Sequence, residues 1–547
     1  MKRLASSGFC SAAAAPSLYP AKQTTGFWGI LALLCGFLAP NFMLTGGGWG
    51  DDNSVFAYIG WLMRRGYAPY RDVWDHKGPL LYYLNWFGWV ITPQSTFGIG
   101  MLQGLAFAAA FFVLLLVLKD IARLAGIMIV VLLSIGFIAG TSSGANTTES
   151  WAVLPIAVAM ATSFDAAVKG PSRRHFVLIA TALTTSFWLR PDLALIPGLA
   201  GAICLYITAR GDGFRRAAGL AATFSVTAAL ETGALLLPIW WQRTLPQLWE
   251  AYFLYNKDYG RTVLAAGRLA NALRYSFFLV RQPLFLIGAA AWAALLSGFP
   301  RFRLRRSSVV PIEFQALLLV SFPLEMLACL APGRLYPHYL LSLWPALMLL
   351  GGLIADRIIA AVKLCIIGPT LQKTAAVIAG AVIAGLAIQQ GQMIVDSLRL
   401  AYSKPTEAIA VANYIDSVTT PTDRILPIGD GKAVQVALYA RRLPAASYIY
   451  QLPIIHDANS HAVSERTVFL KGIETAKPKV IFSMPSPVGS LCRREVLDNA
   501  ADEHDGQIYG YANGRLPKEL DPILKHSYRS VADPTFKTAC VYVFQGS

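Results

Sequence analysis

The chain has 547 residues, 55% of them hydrophobic and only 14% charged, and its mean hydropathy is +0.49. Those values exclude an ordinary soluble protein and describe a polytopic membrane protein. A net charge of +16 does not imply nucleic acid, because Arg and Lys cluster in short loops between apolar runs, where they set topology.

The apolar runs fall at 27–44, 97–118, 124–140, 151–168, 176–189, 193–208, 217–239, 284–297, 312–330, 339–355 and 374–388. Several are shorter than the roughly 20 residues a straight span needs, a shortfall that tilt or local thinning absorbs. They predict about eleven membrane helices. With Lys2, Arg3 and Lys22 inside, alternate loops carry Lys119/Arg123, Lys169/Arg173/Arg174, Arg210/Arg215/Arg216, Arg301/Arg303/Arg305/Arg306 and Arg357/Lys363/Lys373. All then lie on the cytoplasmic side, as the positive-inside rule requires. The 46–97 loop, the 141–150 turn, the 240–282 loop and the tail after 389 lie outside. The first run is long for a signal-peptide core and no clear small-residue cleavage site precedes Gly46, so it reads as a retained anchor.

The first external loop holds Asp51, Asp52, Arg64, Arg65, Arg71, Asp72, Asp75, His76 and Lys77. At a bilayer centre each charge costs about 2.5–3.5 kcal/mol, so the loop reads as a site held just outside the lipid. Val55, Ile59, Leu62 and Met63 fall near helical spacing and predict a helix over 52–65 lying on the membrane surface, capped by Gly66. Asp51 and Asp52 open it. One Asp caps a helix well; the second is unexplained by capping and is placed to act as a general base. Farther on, Lys77 precedes Gly78-Pro79 and an apolar run, which pins its ammonium near the headgroup layer. There it can bind a lipid-linked phosphate as a point charge, or snorkel, or pair with Asp75. His76 is a candidate proton carrier or metal ligand.

The order DD, RRG-x-APYRD and WDHKGPL resembles the first periplasmic loop of the C-type (GT-C) glycosyltransferase superfamily. The nearest branch resembles the protein O-mannosyltransferases and the lipid A aminoarabinose and galacturonic acid transferases. The resemblance implies a many-helix membrane fold, a polyprenyl-phosphate-linked sugar donor and an Asp near the start of this loop. Those enzymes commonly carry Lys-Pro-Pro-Leu where this chain has Lys77-Gly78-Pro79-Leu80. His76 stands where the aminoarabinose branch has Glu, so a divalent metal stays open and no metal ligand is assigned. Glu149, in the second external loop, matches a further family acid, or is an N-terminal helix charge. Arg190 and Asp192 are a supporting pair or a turn-fixing ion pair. Arg334 and His338, in GRLYPHY, resemble a family segment before a late span and would hold the donor phosphate.

In the 240–282 loop, Trp240, Trp241, Trp249, Tyr252, Tyr255 and Tyr259 read as an interfacial aromatic belt or a lipid or carbohydrate cleft. From about 391 polarity rises, dividing a membrane domain (1–390) from a small extracytoplasmic α/β domain (391–547). In the latter, 405–418 predicts a helix, and 423–428, 479–483 and 539–544 predict strands. Gly429-Asp430-Gly431-Lys432 lacks a full phosphate-loop spacing and reads as a strand-to-helix turn. Among seven cysteines, Cys492 and Cys540 fall in this outer domain, where oxidation is possible.

These readings predict a bacterial inner-membrane transferase moving a hexosyl or pentosyl group from a polyprenyl-phosphate donor to a lipid, glycan or protein acceptor. The acceptor lies on the extracytoplasmic face, with lipopolysaccharide among the candidates. Asp51 or Asp52 takes the acceptor proton, Lys77 and Arg334 stabilise the leaving phosphate, and one displacement inverts the anomeric carbon. A transporter or flippase is the alternative, with Glu231 and Glu325 as its buried acids; a non-catalytic scaffold is a third.

Overall fold

The computed structural model describes residues 25–38, 51–142, 144–259, 265–297, 310–334, 336–364, 406–455, 462–484 and 515–545, with single positions between. Nine helices run in order through the first half: α1 (Thr25–Leu38), α2 (Asp51–Met63), α3 (Pro79–Ile91), α4 (Phe97–Ile121), α5 (Leu124–Thr141), α6 (Thr148–Lys169), α7 (Arg173–Leu189), α8 (Leu195–Asp212) and α9 (Phe214–Trp241). Among the described residues, seven helices are long and apolar enough to cross a membrane. The count is eight if Gly267–Leu279 and Pro283–Leu296, bent by 98°, form one span. The first apolar run is described only as far as Leu38, and most of 374–388 lies outside the described residues.

Short connections make successive helices antiparallel. The N-termini of α4, α6 and α8 therefore meet the C-termini of α5, α7 and α9 at one end of the bundle. Lys119, Lys169 and Arg210 lie at the opposite end.

In the C-terminal part, the expected outer domain, a sheet runs β2-β1-β3-β5-β4, with β1 (Arg424–Ile428), β2 (Leu443–Pro444), β3 (Val480–Ser483), β4 (Tyr528–Ser530) and β5 (Cys540–Phe544). The β1 strand pairs in parallel with β2 and β3, while β5 is antiparallel to β3 and β4. The helix 405–418 and the three expected strands form within a residue of their expected bounds. At the end of β1, Asp430 Oδ1 accepts the Lys432 N–H at 3.0 Å and starts the helix Gly431–Ala440, so that segment is the expected turn. Cys540 is disulfide-bonded; Cys492 lies outside the described residues.

The helix expected on the membrane surface forms as α2, and Gly66 (φ +87°) ends it, its N–H donating to Met63 O at 3.0 Å. Its placement differs. Residues 53–62 are buried on every face, because α3 covers one side and the helix Gly431–Ala440 the other. The Tyr58 hydroxyl donates to Arg442 O at 2.5 Å, and Trp89 Nε1 to Ala57 O at 2.8 Å. The C-terminal sheet region thus packs on the first loop.

Candidate active site

Lys77 is held by its main chain before its side chain is considered. Its N–H donates to the Tyr82 hydroxyl at 3.1 Å, and its carbonyl accepts from Tyr70 at 2.8 Å. The next residue, Gly78, donates its N–H to Leu189 O at 3.2 Å. A Cβ on Gly78 would lie 1.8 Å from Trp188 O, so only glycine lets this loop reach the C-terminal end of α7. Pro79 then opens α3, where its missing N–H costs nothing.

The Lys77 ammonium lies 2.8 Å from His76 Nε2. An ammonium only donates, so Nε2 accepts and the imidazole carries its proton on Nδ1. That nitrogen faces Asp75 Oδ1 at 3.3 Å and the Tyr450 hydroxyl at 3.2 Å. Asp75 accepts from Tyr450 at 2.5 Å and from Tyr82 at 2.7 Å. Burial pushes the Asp75 carboxyl up, but His76, Lys77 and the Tyr450 hydrogen bond outweigh it and hold it at about 2. Burial and Lys77 together keep the His76 imidazole below its ordinary value, against the pull of Asp75. Asn256 Nδ2 donates to His76 O at 2.8 Å.

A second group centres on the α5–α6 turn. Asn146, at φ +52°, exchanges hydrogen bonds with Asn85 at 2.8 and 3.1 Å and donates to Asn53 O at 3.1 Å. Its N–H reaches Gln103 Oε1 at 3.0 Å. This knot joins α2, α3 and α4 to the start of α6, where Thr147 and Ser150 cap the helix. Glu149, in the first turn, is buried and paired with Arg190. Arg190 also forks onto Asp192 at 2.6 and 2.7 Å and lies 4.5 Å from the Tyr339 ring centroid. Arg190 thus pairs with Asp192 across the turn and with Glu149 at the start of α6, one cation shared by two carboxylates.

The expected 333–339 segment comes to the same end. Asn271 and Tyr275 bind the carbonyls of Gly333 and Tyr336 at 2.8 Å each. Arg334 is fully buried with its guanidinium 4.0 Å from the Tyr259 ring centroid, and His338 stacks on Tyr336 at 5.6 Å. The aromatic loop divides. Trp240, Trp241 and Trp249 are exposed, whereas Tyr252 and Tyr255 are buried, and the Tyr255 and Tyr259 rings lie 5.1 and 5.3 Å from His76.

Asp52 is exposed in the first turn of α2, and of Asp51 only the backbone is described. The charge of Asp52 acts on His76, Tyr450, His338 and Tyr339, while Glu149 feels Arg190, His338 and Lys77. Asp52, His76, Lys77, Glu149, Arg190 and His338 thus lie close enough for their charges to act on one another. Beyond its place among the loop charges, Asp75 enters the sequence reading only as a possible ion-pair partner of Lys77, whereas here it faces His76; Tyr70, Tyr82 and Tyr450 do not enter it. Burial of Asp75 among phenols has no local signature, although its adjacency to His76 and Lys77 was a usable signal. Both His76 nitrogens are occupied by protein partners, and among the described residues no three His, Cys, Asp or Glu side chains gather as a metal centre would need. The site does not fit a metal held through His76.

An apolar groove of about 580 Å³ runs from Leu80 and Leu189 past Leu84, Leu102 and Trp151 to Leu235. Leu80, one of its lining residues, follows Lys77 by three positions in the chain.

No family model matches the chain, and no curated protein matches it. Solved structures do. ArnT from Cupriavidus metallidurans, in the apo state and bound to undecaprenyl phosphate, is 14% identical with a TM-score of 0.56, over 94% of this chain and 97% of ArnT. The archaeal oligosaccharyltransferase AglB from Archaeoglobus fulgidus, in complex with an inhibitory peptide and a dolichol-phosphate, is 13% identical with a TM-score of 0.50, over 96% of this chain and 75% of AglB. Together with the helical bundle and its small outer sheet, these likenesses show that the chain has the GT-C glycosyltransferase fold.

Proposed function

We propose that the chain is a membrane glycosyltransferase that moves a sugar from a polyprenyl-phosphate donor to an acceptor hydroxyl at the end of the bundle carrying Lys77. The observation that carries this reading is Lys77, its main chain fixed by Tyr70 and Tyr82 and its ammonium by His76, three residues before Leu80, which lines the apolar groove. A phosphate on Lys77 leaves its isoprenoid chain beside Leu80 and Leu84. The neighbours of known structure include one bound to undecaprenyl phosphate and one to a dolichol-phosphate.

As the bond from the anomeric carbon to phosphate lengthens, negative charge grows on the leaving group. Lys77, with Arg334 and His338 at the same end of the bundle, stabilises that charge. Asp52, exposed and within electrostatic reach of both histidines, takes the proton of the acceptor hydroxyl; Asp51 shares the first turn of α2 and is the other candidate. Attack from the face opposite the phosphate inverts the anomeric carbon. Glu149, neutralised by Arg190, holds the cationic side of the site in place. The basic loops at the far end of the bundle set this end outside the cytoplasm, in a bacterial inner membrane, where the acceptor is an envelope lipid, glycan or protein. Sugar transfer, rather than transport, fits charge gathered at one end of the spans.

Transfer of radiolabelled sugar from polyprenyl-phosphate donors by purified protein tests this. Asp52→Asn is expected to lose about 10²–10⁴-fold in kcat, and Lys77→Met about 10²–10³-fold. Wild-type protein that moves a labelled lipid-linked sugar across a vesicle without breaking its phosphate bond would replace the enzyme with a transporter.

A further inference from the structure

The outer domain reaches the candidate site through one buried side chain. Tyr450, beyond β2, is 8% exposed and donates to Asp75 Oδ1 at 2.5 Å. Asp75 is 2% exposed, takes a second hydrogen bond from Tyr82 at 2.7 Å, and faces His76 Nδ1 at 3.3 Å. His76 Nε2 in turn meets the Lys77 ammonium at 2.8 Å. A chain of hydrogen bonds therefore runs from the outer domain to the cation, and every member before Lys77 is buried. A buried carboxylate is costly unless its oxygens are satisfied. Here two phenols and an imidazole satisfy them, and the imidazole's remaining nitrogen is left to face Lys77.

We propose that Tyr450, Asp75 and His76 are positioning residues that aim the Lys77 ammonium at the donor phosphate, which makes the outer domain a working part of the transfer site. This inference rests on the reading of Lys77 as the phosphate-binding cation. With its proton on Nδ1, His76 presents a lone pair to Lys77 and leaves two ammonium protons for phosphate oxygens. Protonated His76 would turn an N–H against the ammonium and drive it away. The groups facing His76 are Asp75 and Lys77 of its own loop, Tyr450 of the outer domain, the Tyr255 and Tyr259 rings, and the charge of Asp52. The two carboxylates favour the imidazolium and Lys77 opposes it. Burial adds to the opposition and keeps the ring neutral at pH 7.

Full-length protein in nanodiscs provides the test, through three readouts. Tyr450→Phe keeps the ring and removes the hydroxyl. It is expected to lose on the order of tenfold in kcat/KM while the outer domain keeps its resistance to limited proteolysis. His76→Gln offers Lys77 an amide oxygen that does not titrate, so the His76 contribution to the acid limb of the wild-type kcat/KM profile is expected to disappear, leaving the limb set by the Asp52 base, while measurable transfer remains. A purely structural role would lower the melting temperature and leave the pH profile in place. Independently of any reaction, ¹⁵N-histidine spectra, with His76 assigned by its loss in His76→Gln, are expected to show the Nδ1–H tautomer and a shift on Tyr450→Phe. An unchanged acid limb in His76→Gln, wild-type kinetics in Tyr450→Phe, or an Nε2–H tautomer each overturns the proposal. A wild type that transfers no sugar but shows the Nδ1–H tautomer coupled to Tyr450 would sink the transfer reading and leave the positioning chain standing.

Discussion

Gly78 is the residue at which this chain departs from the Lys-Pro-Pro-Leu run of the enzymes it resembles, and a backbone contact accounts for it. A Cβ there would lie 1.8 Å from Trp188 O, and the Gly78 N–H donates to Leu189 O at 3.2 Å. Proline would bring the carbon and remove the donor. Because the obstacle is main chain rather than the end of a flexible side chain, relief requires the loop and α7 to part. Gly78→Ala is expected to destabilise by about 3 kcal/mol, at the upper end of overpacking costs. Gly78→Pro is expected to cost more, since Leu189 O loses its partner. Both displace Lys77, so transfer should fall further than the loss of folded protein explains. Thermal inactivation midpoints and specific activity of the surviving folded fraction check this, and an alanine variant matching wild type in both would refute the steric account.

At the scale of elements, most of the apolar helices and the strands were legible because their signals are local: apolar length for the helices, and short β-rich runs for β1, β3 and β5; the run 176–189 forms α7, which is not among the seven described helices long and apolar enough to cross. The two-residue β2 and three-residue β4 are too short to carry a pattern. The burial of α2 was not legible either, because the helix that covers its second face begins 380 residues later in the chain, at Gly431. The asparagine knot is equally silent, since Asn53, Asn85 and Asn146 have no spacing in common. Arg190 stands between these cases: its ion pair with Asp192 was readable from two adjacent elements, its pair with Glu149 only from the fold. Glu149 is 1% exposed and the Arg190 side chain 13%, so removing the cation strands a buried carboxylate. Arg190→Leu is expected to cost about 3–5 kcal/mol, and Arg190→Lys to restore the charge without the fork. The double variant Arg190→Leu with Glu149→Gln should recover part of the loss, because the fully buried carboxylate is gone and only the partly exposed Asp192 is left without its cation. A double variant as unstable as the sum of the singles would show that the two residues do not act as a pair.

At the scale of the molecule, the outer domain and the first loop form one body. The α2 helix lies between the bundle and the helix Gly431–Ala440, Trp74 N–H donates to Ser447 O at 2.9 Å, and Trp74 sits against Tyr448 with ring centroids 5.4 Å apart. Arg441 binds the carbonyl of Gln94 in the α3–α4 turn. Val55, Tyr58, Trp61 and Val73 are buried, and the Tyr58 hydroxyl meets Arg442 O across this seam, where apolar surface removed from water stabilises by about 25 cal/mol per Å². A protease site placed between residues 400 and 405, cut after folding, separates covalent tethering from docking. The outer domain is expected to stay with the bundle through size-exclusion chromatography and transfer is expected to persist, because the seam rather than the linker holds Tyr450 on Asp75. Stripping the cut domain away with mild denaturant should abolish transfer, and adding it back should restore it. If the bundle alone still transferred sugar at the wild-type rate, the domain would be a cover, and Lys77 would be positioned by Tyr70 and Tyr82 without help from across the seam.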